Sequence, residues 1–386
     1  MSIQIDYDLR LRKLQALMGE HGVDVLVATR LKTITHLTGG FVPWRSAVVV
    51  PAKGEAHLFT VSMDSERLRE ENHLRSVTGY ARQPMMDMVA DRVQELQSGA
   101  FTLGVEDGYS WYLPEGTITH EEYRMLVDPF DDATVNNMTE AIDHHMLLKD
   151  QRQIDLMRQA SAICDAAQIV VREKLTLGMT EIQIAGLAEG ALREHGSEFA
   201  WTFTGGQEIG SGHRSWTGAC TPPTHKIVQK GETVVLDLHG MYGMMLGDVS
   251  HNAVLGKPTD DQRRLMDAYV QSCEYLLATL RPGRTIGDAA RDVRDFTVKN
   301  GWGKIVRGFG HGIGHFGNEW FPSFTDVPMR YVSDPEIVLE PGFMEVMALT
   351  CNLPGVGGFR FERPVVITDS GAEILSATEI TPWVIE

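Results

Sequence analysis

The stretch VVLDLHGMYGMMLGDVS, residues Val234–Ser250, decides the fold. Its pattern predicts two β-strands joined by a turn at Tyr242-Gly243, because glycine accepts turn conformations that other residues avoid. Asp237 and Asp248 are equally distant from that turn, so the sequence predicts that their carboxylates lie directly opposite each other. Opposed carboxylates repel unless a cation or a shared proton compensates them, and a metal ion with oxygen ligands is a natural compensator. The alternative is two separate acids that face solvent beside a turn.

Two later segments carry further polar residues suited to chemistry. The segment GFGHGIGH, Gly308–His315, surrounds His311 and His315 with four glycines, which indicates backbone packed close to another group. A simple turn with two unrelated histidines is the alternative. Glu362 lies in a segment of aromatic and β-branched residues that predicts a strand. Its carboxylate is therefore either a ligand or part of the outward face of that strand.

Composition limits the classes of function. The 386 residues are 43% apolar and 23% charged, an ordinary balance for a globular protein with a sizeable core. The net charge of −17 disfavours nucleic acid and anionic membranes as partners. No apolar run approaches the length of a membrane span and no leader pattern is visible, so we expect a cytoplasmic protein. The four cysteines are widely spaced, which predicts free thiols in a reducing compartment.

Hydrophobic periodicity predicts the elements around these segments. Helices are expected at 7–20, 150–171, 259–280 and 285–299, with another from Thr180, where Gln183 completes a capping box. Strands are expected at 23–28, 47–50, 57–61, 101–106, 233–238, 248–255, 343–352 and 358–367. The mixture predicts an α+β protein with a domain boundary near residues 145–150.

The three polar segments together resemble the pita-bread catalytic domain of prolidase, aminopeptidase P, methionine aminopeptidase and creatinase. The N-terminal part is similar to the creatinase N-terminal domain, so the resemblance covers nearly the whole chain. It implies a smaller α/β domain over residues 1–147 and a pita-bread catalytic domain over 148–386. It also implies a homodimer in which the N-terminal domain of one chain approaches the active site of the other. The loop that carries Trp44 and Arg45 is a candidate anchor, since such residues are frequent in interfaces.

The resemblance also implies a metal site and its ligands. It places Asp237, Asp248, His315 and Glu362 on metal-ligand positions, with His311 as a pocket histidine that takes the ligand role in lyase-like relatives. Ligands of this type fit Mn, Fe, Co or Zn, and the sequence does not choose among them. A metal-free site is the alternative, because creatinase works without one.

The sequence departs from the family pattern at several positions. Ala348 stands where the second glutamate ligand is expected, Pro322 where the peptidases carry another histidine, and Cys220 where creatinase carries its acid/base histidine. Glu345 does not replace the missing ligand, because three residues along a strand reverse the face of a side chain. His239 replaces a glycine of the family motif. These departures predict one metal ion at most.

The resulting hypothesis is a hydrolase that cleaves a C–N bond in a small polar substrate. The alternatives are a metal-dependent Xaa-Pro dipeptidase, a lyase similar to dimethylsulfoniopropionate lyase, and a non-catalytic pita-bread binding protein. His311, His315 and Glu362 are the candidate catalytic residues. The candidate substrate contacts are polar or aromatic residues near the motifs, namely His213, Trp216, Cys220, His239, Asn318 and Arg360.

Overall fold

The protein is described by a computed structural model that covers residues 5–109, 115–200, 206–217, 221–319 and 321–386. The chain divides into two compact units, Ser2–Met146 and Leu147–Glu386. Within the described residues, no helix is long and apolar enough to cross a membrane.

The N-terminal unit is built on one mixed β-sheet with helices on both faces. Its strands are β1 (Val25–Ala28), β2 (Ala47–Pro51), β3 (His57–Val61), β4 (Ser76–Tyr80), β5 (Phe101–Val105) and β6 (Ala133–Asn137), in the order β4-β3-β2-β1-β5-β6. Its helices are α1 (Tyr7–Glu20), α2 (Leu31–Thr38), α3 (Ser65–Glu71), α4 (Met85–Leu96), α5 (His120–Val127) and α6 (Thr139–Met146). Successive residues of β1 alternate between two apolar clusters, because neighbouring side chains of a strand point to opposite faces.

The C-terminal unit contains two β-sheets and the longer helices. Its helices are α7 (Gln151–Lys174), α8 (Glu181–Glu194), α9 (Asp260–Thr279) and α10 (Ile286–Lys299), with a 3-10 helix at Gly212–Ser215. One sheet has the order β14-β9-β8-β7, with β7 (Glu208–Ser211), β8 (Thr233–Tyr242), β9 (Met245–Leu255) and β14 (Trp383–Ile385). The other has the order β10-β11-β12-β13, with β10 (Val306–Gly312), β11 (Met344–Leu353), β12 (Gly357–Thr368) and β13 (Gly371–Ile374).

Polar contacts and close packing fix the sheets against their neighbours. Gln168 of α7 donates through Nε2 to the carbonyls of Leu236 and Val249, which ties the helix to β8 and β9. A Cβ at Gly247 would collide with the backbone of Ala160, so this residue must be glycine for the helix to approach. The two sheets are joined at Arg360, whose main-chain N–H and carbonyl both bond the Asn252 side chain, at 2.8 and 2.7 Å.

The helices and strands predicted from periodicity are present, with ends shifted by a few residues. Asp150, Thr180 and Thr259 each begin a helix through a capping box, in which cap and third residue exchange hydrogen bonds. The three described cysteines are buried and free, as their spacing predicted, whereas Cys220 lies outside the described residues.

The predicted register of the decisive hairpin is wrong by one residue at the turn. Gly243 and Met244 form the tip, both with positive φ, and Tyr242 pairs with Met245. Asp237 therefore faces Ser250 across the sheet, and Asp248 faces His239. Asp237 and Asp248 still share one face of the sheet but lie diagonally.

Tertiary hydrogen bonds explain the position of this turn. Met244 donates its N–H to Oε2 of Glu198 at 2.8 Å, and its carbonyl accepts from the N–H of Phe316 at 3.1 Å. These contacts hold a non-glycine residue in the left-handed region, which the local sequence alone disfavours.

Candidate active site

Polar side chains from five strands converge between the two sheets of the C-terminal unit. Glu208 comes from β7, Asp237 and His239 from β8, Asp248 from β9, His311 from β10 and Glu362 from β12, and all are buried. They form two groups in which each residue offers a ligand atom within 4.8 Å of the others. One group is Glu208, Asp237 and His239, and the other is Asp248, His311 and Glu362.

Asp248 is the least compensated acid of the site. Both carboxylate oxygens are buried, and neither has a hydrogen-bond partner among the described residues. Nε2 of His239 lies 3.6 Å from Oδ1, and Nε2 of His311 lies 3.7 Å from Oδ2. Burial, reinforced by the nearby Asp237 carboxylate, raises the pKa of Asp248 to about 7. A bound cation would compensate the charge of this buried carboxylate, so the residues of the site fit a metal ion.

His311 is oriented as a neutral ligand. Its Nδ1 lies 3.0 Å from the carbonyl oxygen of Gly312, which accepts only, so Nδ1 carries the hydrogen and Nε2 presents a lone pair. Burial lowers the pKa of His311 to about 4, which keeps the ring neutral near pH 7. This arrangement, with one ring nitrogen fixed by a carbonyl, is typical of metal-binding histidines.

The pKa values of Glu362 and Asp237 are shifted in opposite directions. Burial, with the Asp237 carboxylate beside it, raises the pKa of Glu362 well above its ordinary value. Burial also acts to raise the pKa of Asp237, but His239, Arg360 and a hydrogen bond with Glu362 outweigh it and lower that pKa. Without a metal ion, Glu362 is therefore the protonated member of this pair.

His239 stands at a position where the family motif has a glycine. Its Nδ1 lies 3.2 Å from the carbonyl oxygen of Gly206, and its ring lies directly across from Asp248 in the sheet. Burial lowers the pKa of this imidazole, but the carboxylates of Asp248, Asp237 and Glu208 outweigh burial and raise it. His239 is thus placed as a proton donor inside the site.

Arg360 and Glu208 complete the constellation. Nη1 of Arg360 donates to Oε2 of Glu208 at 2.7 Å and to Oδ2 of Asp237 at 2.9 Å, while its Nε lies 3.9 Å from Oε1 of Glu362. Glu208 pairs with Asp237 in the β7–β8 ladder. Sequence reasoning missed Glu208, and the one available signal was an acid beside the apolar Ile209 in a short strand.

The pairing of β11 with β12 confirms that Glu345 does not replace the missing glutamate ligand. Ala348 is fully buried and pairs directly with Glu362, so a longer acidic side chain there would point into the site. Glu345 pairs with Val365 and points to the other face. Burial raises the pKa of Glu345 well above its ordinary value.

The structure places His311, rather than His315, with the carboxylates. β10 ends at Gly312, and His315 beyond it pairs with Met245 beside the hairpin tip. His315 is buried but belongs to neither group of candidate ligands, which differs from the role that the resemblance implied.

The other predicted contact residues are more exposed than the two groups of candidate ligands. His213, in the 3-10 helix, is exposed, while Trp216 and Asn318 are half-buried. Cys220 falls outside the described residues, so its predicted contact stays a prediction.

Comparison with known proteins decides the family. Residues 155–369 match the model of metallopeptidase family M24, and residues 10–145 match the creatinase/prolidase N-terminal domain. The chain belongs to metallopeptidase family M24. Family M24 membership confirms the predicted creatinase/prolidase relationship and the predicted hydrolase class, and it implies the use of a divalent metal.

Curated relatives and solved structures support this membership. An Xaa-Pro dipeptidase of Pyrococcus furiosus is 24% identical over 96% of this chain and 98% of its own. One of Lactobacillus helveticus is also 24% identical, over 96% of this chain and 97% of its own. A prolidase structure from Thermococcus sibiricus superposes with a TM-score of 0.84 at 19% identity, covering 99% of this chain and 100% of that one. The Xaa-Pro dipeptidase from Bacillus anthracis gives 0.82 at 21%, covering 98% and 100%. The predicted two-domain pita-bread fold is thereby confirmed for this M24 protein.

Proposed function

We propose that the chain hydrolyses a C–N bond in a small polar substrate, using one divalent metal ion held by Asp248, His311 and Glu362. The observation that carries the proposal is the buried Asp248 carboxylate, which has no hydrogen-bond partner among described residues and faces the neutral Nε2 of His311. A carboxylate and an imidazole as ligands suit Mn, Fe, Co or Zn.

Each residue of the site has a separate role in this proposal. The metal ion, when bound, supplies a Lewis acid that polarises a carbonyl and lowers the pKa of water. His239 donates a proton to the leaving nitrogen, since Asp248, Asp237 and Glu208 favour its protonated form. Arg360 holds Asp237 through a hydrogen bond of 2.9 Å and keeps that carboxylate in place. The predicted metal-ligand role of His315 is not part of this proposal, and its predicted catalytic role stays a prediction.

The substrate is proposed to differ from a standard Xaa-Pro dipeptide. Ala348 removes one acidic position beside Glu362. A second candidate is Xaa-Pro dipeptidase activity, favoured by the two Xaa-Pro dipeptidases that align over nearly the whole chain. The two candidates share the metal site and differ in the substrate.

Metal content and a substrate panel test the proposal together. We expect the purified protein to retain about one Mn, Fe, Co or Zn ion per chain after dialysis, as measured by elemental analysis. We expect hydrolysis of a small amide, ureide or cyclic amidine in preference to Ala-Pro or Leu-Pro, measured by amine release. Efficient turnover of Xaa-Pro dipeptides alone would favour the second candidate, and protein without metal at full activity would reject the metal-dependent proposal.

A cytoplasmic homodimer is proposed for the whole protein. Trp44 is 49% exposed, which leaves much of a large aromatic surface available to a second copy. Arg45, in contrast, makes two hydrogen bonds of 2.6 Å to Glu122 of its own unit, so Trp44 is the better anchor. The buried free cysteines support a reducing compartment.

A further inference from the structure

Arg363 is a buried cation on the face of β12 that points away from the candidate active site. It follows Glu362, so its side chain takes the opposite face of the strand, and it is 1% exposed. Nη1 donates to the main-chain carbonyls of Ser250 and Glu362, whereas the buried Nη2 has no hydrogen-bond partner among the described residues. In that part of the chain the guanidinium forms no ion pair. A buried charge without a counter-charge is costly, so a counter-ion is expected here.

Three described titratable side chains respond to the charge of Arg363, and all three are neutral near pH 7. Burial raises the pKa values of Tyr269 and Cys273 on α9 well above their ordinary values, so neither is ionised. Burial, with Arg363 and Arg172 nearby, lowers the pKa of His251 on β9 well below 6.5, so its ring is uncharged. None of these groups compensates the guanidinium.

His251 presents a second set of unsatisfied polar atoms close to Arg363. It directly follows Ser250, whose carbonyl accepts from the Arg363 guanidinium, and it is fully buried. Neither ring nitrogen has a hydrogen-bond partner among the described residues. The ring packs on Trp383 of β14, with centroids 3.8 Å apart, and Trp383 is itself buried. A neutral imidazole carries one N–H, so His251 offers a donor that is shielded from solvent.

We infer that Arg363 and His251 bind a small monovalent anion of the chloride class. Nη2 of the guanidinium and the imidazole N–H are the donors, since buried donors normally have a partner. An anion also compensates the charge of Arg363, which a water molecule does not do. The complete burial of both residues excludes large anions. The inference is independent of the proposed function, because neither residue is a candidate metal ligand.

Thermal unfolding in chelator tests this site in the absence of any metal ion. Sodium chloride replaces sodium gluconate at constant ionic strength, because gluconate is too large for a site closed by Trp383. Chloride at roughly ten times its Kd is expected to raise the unfolding midpoint of the wild type by about 3 °C. Salts also change stability in a general way, so the decisive quantity is the difference between the wild type and Arg363→Met.

Matched variants separate anion binding from a merely structural role of Arg363. Arg363→Met removes the charge and keeps most of the side-chain length, so the chloride-dependent rise should disappear. Arg363→Lys keeps a positive charge and should retain part of the rise. His251→Phe preserves the packing on Trp383 but removes the donor, so the Kd for chloride should increase about tenfold. Arg264→Met on α9 removes a charge that is 74% exposed and should leave the full rise, which makes it the control.

Anomalous diffraction from bromide locates the ion directly and needs no variant. Crystals of the wild type grown in sodium bromide are expected to show an anomalous peak between Nη2 of Arg363 and the His251 ring. Bromide at the surface would be an adventitious ion only and would contradict the inference. A chloride-dependent rise that persists in Arg363→Met would also contradict it. If Arg363→Met does not fold, the bromide peak decides, and the metal content of the wild type still tests the proposed function separately.

Discussion

Replacing Asp248 by asparagine is expected to stabilise the metal-free protein and to abolish its response to metal. The carboxylate is buried, its oxygens have no hydrogen-bond partner in the described part of the chain, and burial raises its pKa from the ordinary 3.8 to about 7. The folded state therefore favours the neutral acid. Above pH 7, the metal-free protein must hold an ionised carboxylate in an unfavourable place.

The size of this effect follows from the two pKa values. At about 1.4 kcal/mol per pH unit, the difference between 3.8 and about 7 makes the ionised group roughly 4 kcal/mol unfavourable at pH 8. Asparagine has a similar shape and no charge, so the metal-free Asp248→Asn variant is expected to be more stable by up to about that amount. The gain should be smaller at pH 5, where the native carboxyl already carries its proton.

Thermal unfolding in chelator measures the stability of the metal-free proteins, and thermal unfolding in excess Mn²⁺ measures their response to metal. Mn²⁺ is expected to stabilise the wild type. The Asp248→Asn variant is expected to bind Mn²⁺ at least about 100-fold more weakly and therefore to lose this stabilisation. Glu345→Gln is a matched control, because Glu345 is also buried with a raised pKa but points to the other face of β11. It should leave the Mn²⁺ response intact. Metal-free Asp248→Asn that is less stable than the wild type at pH 8 would refute the reasoning.

Four further expectations concern pH, the missing ligand, the substrate and assembly. The unfolding free energy of the metal-free wild type should fall by about 1.4 kcal/mol between pH 6 and 8, since a raised acid pKa gives stability at low pH that disappears as the pH passes about 7. Mn²⁺ should remove this pH dependence. An unfolding free energy that does not change with pH in chelator contradicts the expectation. Ala348→Glu places a carboxylate beside Glu362 and should increase the amount of Mn²⁺ retained after dialysis. The control Ala348→Gln adds no charge and should leave that amount unchanged. Xaa-Pro dipeptides should be hydrolysed with kcat/KM below about 10⁴ M⁻¹s⁻¹, because Ala348 removes an acidic side chain from the site. Faster turnover overturns this expectation. Trp44→Ala should lower the mass measured by light scattering to that of one chain, and an unchanged mass removes the interface.

The sequence allowed the architecture to be predicted where signals are local. Capping boxes at Asp150, Thr180 and Thr259 and the alternation of apolar residues in the strands depend on neighbours a few residues away. The family resemblance implied a lost ligand at Ala348, and the side-chain period of a strand predicted that Glu345 points to the other face.

The details of the site depend on contacts between distant segments and could not be predicted in this way. The hairpin register follows from hydrogen bonds that Met244 makes with Glu198 and Phe316, far from it in the sequence. Glu208 stands alone in its segment, and its place beside Asp237 comes from strand pairing. The choice between His311 and His315 follows from the point at which β10 ends.

The bond between Arg360 and Asp237 has a consequence for how the chain folds. The two residues are 123 positions apart, and Arg360 and Glu208 are 152 apart, so we expect the cluster to close late in folding. Contacts of such long sequence separation form slowly, and four acids that approach one another before the guanidinium arrives oppose the last step. Stabilising this cluster should therefore slow unfolding more than it speeds folding. The persistence of the native state over time, rather than the rate at which it is reached, is then the property that Arg360 controls.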